Sequence, residues 1–348
     1  MNRKFALIAL AALALISTGC GKKEVPAGAS GSAAAGQLVD NGIIITDAPQ
    51  SAVLVGEKFT LKANHSSGNA KVEDVVWSSS NPSVAKVNDQ GKVLATGSGN
   101  CEISATAGTL SGKVAISVND RDPGKDEMGH VGNSKLTHGQ NNSSTTFSIG
   151  NNGWQGEIWY QGGNNSMTYY DNGTFTAVWS GTSDFLARVG YSYGMDTRVT
   201  YDTMQYDCYF KHSKKGSAGG YNYIGVYGWT LDPLVEYYIV DDWFNKPGAN
   251  LLGQKKGQFT VDGDIYEIYQ NTRIQQPCIV GTATFPQYFS VRRSARQSGH
   301  IDVCAHFKQW ESLGMRMGKI YEVKYLIEAG GGSGELDCTY LFFSDGKF

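Results

Sequence analysis

The sequence predicts an all-β protein, in which a small β-sandwich precedes a larger jelly roll of two packed, curved antiparallel sheets and one helix. Short stretches of alternating apolar and polar residues, separated by turn residues, run through residues 40–118. From about residue 145 a long series of aromatic-rich strands follows, in a chain with 44 Gly, 19 Tyr and 7 Trp. So many strands in about 200 residues imply two strongly curved sheets that pack on each other. The length of 348 residues is ample for two cores.

A single stretch, residues 301–313, has the spacing of a helix. Val303, Phe307 and Trp310 recur there at intervals of four and three residues, which places them on one helix face. The strands predicted within the second domain, residues 145–346, are 154–160, 167–170, 174–179, 185–189, 221–229, 235–241, 257–261, 264–270, 285–292 and 321–328.

The charge of the chain argues against a nucleic-acid partner. The 30 Lys and Arg residues nearly balance the 32 Asp and Glu residues, and the formal net charge is -2. The basic residues are scattered, so no surface attracts a polyanion. We therefore expect no nucleic-acid partner, and we expect a monomer.

The first 20 residues predict export. Arg3 and Lys4 precede an apolar run, residues 5–16, and small residues then lead to Cys20. This segment resembles a bacterial lipoprotein signal, which implies that Cys20 is lipidated and becomes the mature N-terminus. The alternative is an ordinary secretory signal. We expect a protein anchored by lipid to the outer membrane, at the cell surface, or a secreted protein, with a flexible tether over residues 21–39.

The predicted sandwich, residues 40–118, carries no residues that suggest chemistry. The runs VWSSSNPSVAKV (76–87) and GKVLATG (91–97) resemble the bacterial immunoglobulin-like domain of type 2, which implies a spacer or an adhesive module. Residues 119–144 are polar and aperiodic, which predicts a linker in which His130 and His138 are solvated.

The cysteines leave their pairing open. Cys208, Cys278, Cys304 and Cys338 lie in the second domain, and four cysteines allow three pairings. An exported chain can oxidise them. Their spacing matches no zinc motif, so we expect no metal site.

Residues 233–241 (PLVEYYIVD) predict a strand with a carboxylate in an apolar run. Alternation places Glu236 on one face with Tyr238 and Val240, and Tyr237 on the other face. A carboxylate in this setting is either an edge-strand residue that faces water or a catalytic group whose pKa its aromatic neighbours shift. Glu328, at the end of a second strand before a glycine-rich turn, has a similar setting.

Four sequence motifs indicate what role these two glutamates have. Residues 233–243 (PLVEYYIVDDW) resemble the nucleophile signature of glycoside hydrolase family 11, the jelly-roll endo-1,4-β-xylanases, and residues 328–334 (EAGGGSG) resemble its acid/base signature. Residues 272–292 are similar to the thumb of that family, and residues 227–230 (YGWT) also fit.

The resemblance implies hydrolysis of xylan or arabinoxylan with retention, in which Glu236 is the nucleophile and Glu328 the acid/base. It implies no cofactor. Asp184 matches the position beside the acid/base, and family members with Asp there tend to work at acidic pH, because another ionisable carboxyl couples to the acid/base. The residues implied to bind substrate are Trp159, Tyr227, Tyr238, Arg273, Pro277 and Gln287.

Some positions depart from the family pattern. Gly330 stands in place of a tyrosine, so we expect the aromatic ring near Glu328 to be missing, and Phe289 replaces a frequent tryptophan. Two other functions stay open. One is a surface lipoprotein or adhesin that binds xylan without cleaving it, and the other is a related enzyme that acts on β-glucan.

Overall fold

The computed structural model describes residues 37–68, 71–150, 153–203 and 205–348. The predicted signal, Cys20 and the predicted tether up to residue 36 lie outside the described residues. Within the described part of the chain, no helix is both long and apolar enough to cross a membrane.

The first domain is a β-sandwich. Its larger sheet has the strand order β1-β10-β9-β6, with β3 beside β10, and two smaller sheets pair β4-β8-β7 and β2-β5. Alternate side chains such as Ile43, Ile103 and Val114 are fully buried between the sheets. The strands are β1 Gln37–Asn41, β2 Ile43–Thr46, β3 Val53–Leu54, β4 Lys58–Thr60, β5 Lys62–His65, β6 Val76–Ser79, β7 Ala85–Val87, β8 Lys92–Ala95, β9 Gly99–Ala107 and β10 Leu110–Asn119.

The second domain is the predicted jelly roll. Its strands are β11 Ser134–Thr137, β12 Thr145–Ile149, β13 Trp154–Gln161, β14 Ser166–Tyr170, β15 Phe175–Ser180, β16 Asp184–Ser192, β17 Asp207–Gly216, β18 Asn222–Leu231, β19 Val235–Asp242, β20 Gln254–Val261, β21 Asp264–Cys278, β22 Gly281–Arg292, β23 Ser298–Asp302, β24 Lys319–Ile320, β25 Glu322–Ala329 and β26 Ser333–Ser344. Its helices are a 3-10 turn Tyr201–Thr203, α1 Ala249–Leu252 and α2 Val303–Ser312.

Two sheets form this domain. One has the order β11-β14-β15-β26-β17-β23, and the other has the order β12-β13-β16-β25-β18-β19-β22-β21-β20, with β24 beside β18. Neighbouring strands are antiparallel except β19 and β22, which run parallel. The core between the sheets includes Phe175, Ala187 and Ile327. The helix α2 closes it with Phe307 and Trp310, which confirms the helical prediction for this stretch.

The central strands β18, β19 and β25 are buried on both faces, which explains their continuous apolar and aromatic composition. One face lies in the core between the sheets. The other face forms a second cluster that is rich in aromatic rings and that the hairpin β21–β22 partly covers. Its buried members on these three strands are Tyr223, Tyr227, Trp229, Tyr238, Val240 and Leu326.

Residues 119–144 are not the structureless linker that the composition predicted. Strand β11 pairs with β14 and so belongs to the second domain's sheet. His130 is hydrogen-bonded to the Thr174 hydroxyl at 2.9 Å and to Asp337 at 2.9 Å, and its ring stacks on Tyr170. The prediction that His130 is only solvated was therefore wrong, because its partners lie far away in the sequence.

Arg121 joins the two domains. Its Nε donates to the Val55 carbonyl at 2.6 Å and its Nη1 donates to the Tyr340 hydroxyl at 3.0 Å. The guanidinium lies 3.5 Å from the centre of the Phe342 ring. Because this arginine is buried, these hydrogen bonds and the cation–π contact replace water as its partners.

We expect Arg121→Ala to lower the free energy of unfolding by about 2–3 kcal/mol, because two charge-assisted hydrogen bonds and a buried cation–π contact are lost. Urea denaturation of the whole protein measures this. Lys58→Ala is the matched control, since the Lys58–Asp345 ion pair at 2.9 Å also joins the domains but Lys58 is 41% exposed. It should change the stability by less than about 1 kcal/mol. Equal effects of the two substitutions would contradict this role of Arg121.

Candidate active site

Two buried carboxyl groups share one face of the larger sheet. Glu236 lies on β19 and Glu328 on β25, and β18 runs between these strands. In register, Trp229 of β18 faces Glu236 and Tyr223 faces Glu328. The two glutamates are 8% and 7% exposed. Two acids this well buried require a specific environment, because burial opposes their ionisation.

Hydrogen bonds stabilise the charged form of Glu236. Its Oε1 accepts from the Tyr227 hydroxyl at 2.9 Å and from the Tyr238 hydroxyl at 3.1 Å. Its Oε2 accepts from the Gln287 amide at 2.6 Å, because the parallel pairing of β19 with β22 places Gln287 opposite Glu236. Burial raises the pKa of Glu236, and these three donors and the charge of Arg273 oppose the rise.

Glu328 has the opposite environment. Its Oε2 is buried and has no hydrogen-bond partner among the described residues. Burial raises its pKa well above the ordinary value, and the negative charges of Asp184 and Glu236 raise it further. The arrangement therefore favours a protonated Glu328 beside an ionised Glu236, a pair that can supply a proton and a nucleophile to the same reaction.

Asp184 is the third acid of the site. It begins β16, whose Leu186 lies opposite Glu328 in register. Burial raises the pKa of Asp184 to about 6, while the Tyr221 hydroxyl and the Phe185 backbone amide lower it. Its Oδ1 has no hydrogen-bond partner in the described part of the chain. The charge of an ionised Asp184 in turn raises the pKa of Glu328.

Tyr221 supplies the aromatic ring that the sequence appeared to lack near Glu328. A Cβ at Gly330 would lie 2.4 Å from the Tyr221 ring, so the ring packs directly on this glycine. The Gly330 amide also donates to the Tyr221 carbonyl at 2.8 Å. The expectation of a missing ring was therefore wrong, because Tyr221, directly before β18, fills the space that the glycine leaves.

The other residues implied to bind substrate occupy different parts of the site. Trp159, which is half-buried, Leu186 and Glu328 are aligned in register across β13, β16 and β25. Arg273 and Pro277 are exposed on the β21–β22 hairpin. The charge of Arg273 lowers the pKa of both Glu236 and Asp184, so it acts on the site. Pro277 pairs with Thr282 near the hairpin tip.

Alternation along β19 predicted the local geometry correctly. Tyr238 bonds Glu236 and stacks on Phe289, with ring centres 4.9 Å apart. Tyr237 points into the opposite core and donates to the Glu322 carbonyl at 2.6 Å. The sequence reasoning missed Arg188 and Lys324, which are buried on the strands of Asp184 and Glu328. Each lies four residues from one of these acids, and this even spacing in the sequence could have placed both on the face of the site.

Comparisons with known proteins give matches for both domains. The profile of "Glycosyl hydrolases family 11" matches residues 151–339, and that of "Bacterial Ig-like domain (group 2)" matches residues 41–118. The chain is 60% identical over 239 residues to "Endo-1,4-beta-xylanase C" of Fibrobacter succinogenes, which covers 68% of this chain and 38% of that relative. It is 56% identical over 125 residues to "Endo-1,4-beta-xylanase C" of Neocallimastix patriciarum, covering 35% of this chain and 26% of that relative.

The chain thus spans well under half the length of both curated relatives. Among solved structures, it is similar to wild-type "ENZbleach xylanase", with a TM-score of 0.59 and 37% identity. This likeness covers 64% of the chain and 91% of that structure. The jelly-roll fold of the second domain is therefore that of a solved xylanase.

We expect Asp184→Asn to move the alkaline limb of the pH profile for xylan hydrolysis to higher pH. With a pKa of about 6, Asp184 ionises as the pH rises through that value. Its charge then opposes the transfer of the Glu328 proton, so the rate falls, and the substitution removes that charge. The measurement is kcat/KM against pH. Asp196→Asn, at an exposed position, is the control. A profile that does not move with Asp184→Asn contradicts this role.

Proposed function

Because the chain belongs to glycosyl hydrolases family 11, we propose that it hydrolyses internal β-1,4-xylosidic bonds of xylan or arabinoxylan with retention of configuration. The observation that carries the proposal is the pair of buried carboxyls with unequal environments. Glu236 receives three hydrogen bonds, and Glu328 keeps an oxygen without a partner in the described residues. Glu236 acts as the nucleophile and Glu328 as the acid/base.

The first step forms a covalent intermediate. A carboxylate oxygen of Glu236 attacks the anomeric carbon, the bond to the leaving sugar breaks, and Glu328 transfers its proton to the leaving oxygen. Tyr227, Tyr238 and Gln287 orient the attacking carboxylate and limit its movement. Glu236 is then an ester and Glu328 a carboxylate.

The second step reverses these roles. Esterification removes the negative charge of Glu236, which is one of the charges that raise the pKa of Glu328. The pKa of Glu328 therefore falls, and its carboxylate accepts a proton from the attacking water. The water oxygen bonds to the anomeric carbon, the ester bond to Glu236 breaks, and Glu328 is protonated again.

The position of Tyr238 supports retention. Its hydroxyl bonds Glu236 at 3.1 Å and also lowers the pKa of Glu328, so one phenol acts on both carboxyl groups. A shared phenol fits the separation of about 5–5.5 Å found in retaining enzymes better than the 6.5–9.5 Å of inverting enzymes, which leave room for a water.

The surroundings of the pair suit a xylan chain. The aromatic face that includes Tyr221 and Trp159 offers rings for stacking on sugars. The β21–β22 hairpin, with Arg273 and Pro277, would close over the polysaccharide as the thumb. The curated relatives carry the name endo-1,4-β-xylanase, which supports xylan over β-glucan as the substrate.

Export and lipid anchoring complete the proposal. We propose that a lipidated Cys20 holds the enzyme at the outer membrane as a monomer, with the immunoglobulin-like domain next to the tether. This part rests on the pattern of residues 1–20, which lie outside the described residues.

We expect Glu236→Gln to lower kcat on xylan by on the order of 10⁴-fold or more, because the amide cannot form the ester.

We expect Glu328→Gln to lower kcat by about 10²–10⁴-fold on xylan, the size of a general acid's contribution. Its effect should be smaller on an aryl xylobioside with an acidic leaving group, which needs no proton in the first step. Release of reducing sugar measures the rate on xylan, and release of the phenol measures the rate on the aryl xylobioside.

Glu267→Gln is the matched control, because Glu267 lies in the same sheet but pairs with Lys255 away from the site. It should keep the wild-type rate. Binding of xylan without hydrolysis by the unmodified protein would instead indicate a binding lipoprotein. Hydrolysis of carboxymethylcellulose but not xylan would assign the enzyme to β-glucan.

A further inference from the structure

Four charged side chains form a buried ring beside the catalytic pair, which we call the ionic ring: Glu157 of β13, Arg188 of β16, and Glu322 and Lys324 of β25. Arg188 Nη2 lies 2.8 Å from Glu157 and its Nη1 lies 3.2 Å from Glu322. Lys324 Nζ lies 3.2 Å from Glu157 and 2.7 Å from Glu322. Positive and negative groups alternate around the ring, so its net charge is zero.

A contribution to the stability of the fold does not by itself explain the ionic ring. All four side chains are at most 10% exposed, and desolvating four charges costs free energy that their mutual attraction only partly returns. Apolar residues of similar volume often serve a fold equally well. The ring therefore calls for a role that apolar side chains could not fill.

The ionic ring faces the active site. Arg188 follows Asp184 by four residues on β16, and Lys324 precedes Glu328 by four residues on β25. An even spacing along a strand places side chains on the same face. In register, Lys324 lies opposite Tyr227, one of the tyrosines that bond Glu236.

Arg188 contacts this tyrosine directly. Its guanidinium carbon lies 4.7 Å from the centre of the Tyr227 ring. The Tyr227 hydroxyl accepts from the Trp229 indole at 2.6 Å and donates to Glu236 Oε1 at 2.9 Å. Glu157 holds the guanidinium through both Nε, at 3.1 Å, and Nη2, at 2.8 Å. A continuous set of contacts thus runs from Glu157 through Arg188 and Tyr227 to Glu236.

We propose that Arg188 is a positioning residue for the nucleophile: packed on the Tyr227 ring and held by Glu157, it fixes the phenol that orients Glu236. This inference rests on the proposed glycosidase function. Burial of a lone guanidinium would be too costly, so the ion pair with Glu157 makes this placement possible.

The charge of Arg188 has a second consequence for the acid/base. It lowers the pKa of Glu328, against the larger effects of burial and of the charges of Asp184 and Glu236. Loss of Arg188 should therefore raise the pKa of Glu328, which carbon-13 NMR of labelled glutamate side chains can measure. The titratable groups that act on Glu328 or Arg188 include Glu157, Asp184, Tyr221, Tyr223, Tyr227, Glu236, Tyr238, Tyr321 and Glu322.

Two double substitutions test the proposal while they keep the ionic ring neutral. Arg188→Met with Glu157→Gln removes the ion pair that includes the proposed positioning residue. Lys324→Met with Glu322→Gln removes the other ion pair and leaves Arg188 on Glu157. We expect the first to lower kcat on xylan by on the order of 10-fold or more, with little change in KM, and to raise the pKa of Glu328 in the carbon-13 NMR titration. The second should keep most of the wild-type kcat and the wild-type pKa of Glu328.

Arg188→Lys is the second test, needed if the first double variant does not fold, which circular dichroism and thermal unfolding would reveal. It keeps the charge but loses the planar group on Tyr227, so kcat should fall while the pKa of Glu328 stays at its wild-type value. Equal kinetics of the two double variants, or a wild-type kcat in Arg188→Lys, would overturn the inference alone. A wild-type protein that cleaves no xylan would overturn the proposed function as well.

Discussion

Two carboxyl groups are buried on one sheet face, and the rest of the site depends on how their ionisation is controlled. Each carboxylate opposes the ionisation of the other, and burial opposes both. The surrounding donors are distributed unequally, since Tyr227, Tyr238 and Gln287 all bond Glu236. Because Glu236 receives the donors, the proton favours Glu328, and the pair behaves as one coupled system, whose protonation would change on the proposed esterification of Glu236.

The fold supplies this asymmetry through strand register. The parallel pairing of β19 with β22 places Gln287 beside Glu236, while β25 pairs only with antiparallel neighbours and brings Glu328 next to Leu186 and Tyr223. Both faces of these strands are buried, so the side chains of Glu236 and Glu328 project from backbone that packs firmly on its other side. Rigid strands hold the acids with less motion than loops could.

Much of this site was predictable because side-chain direction in a strand has a period of two. That period assigned Tyr238 to the site and Tyr237 to the core, as the structure has them. The packing of Tyr221 on Gly330 was not predictable, because it depends on which strands are neighbours. Arg188 was missed for a related reason: a charged residue in a strand suggests solvent, and its partners Glu157 and Glu322 lie on other strands. Strand β17 was also missed, since its second half is polar and half-exposed.

The ionisation of the two glutamates is the most direct test of this account. Carbon-13 NMR of labelled glutamate side chains can follow Glu236 and Glu328 through a pH titration, in the wild-type protein and in Glu236→Gln. The account predicts that Glu328 has the higher pKa and that this pKa falls in the variant, since one of the charges that raise it is gone. A Glu328 that titrates below Glu236, or one whose pKa is unchanged in the variant, would contradict it.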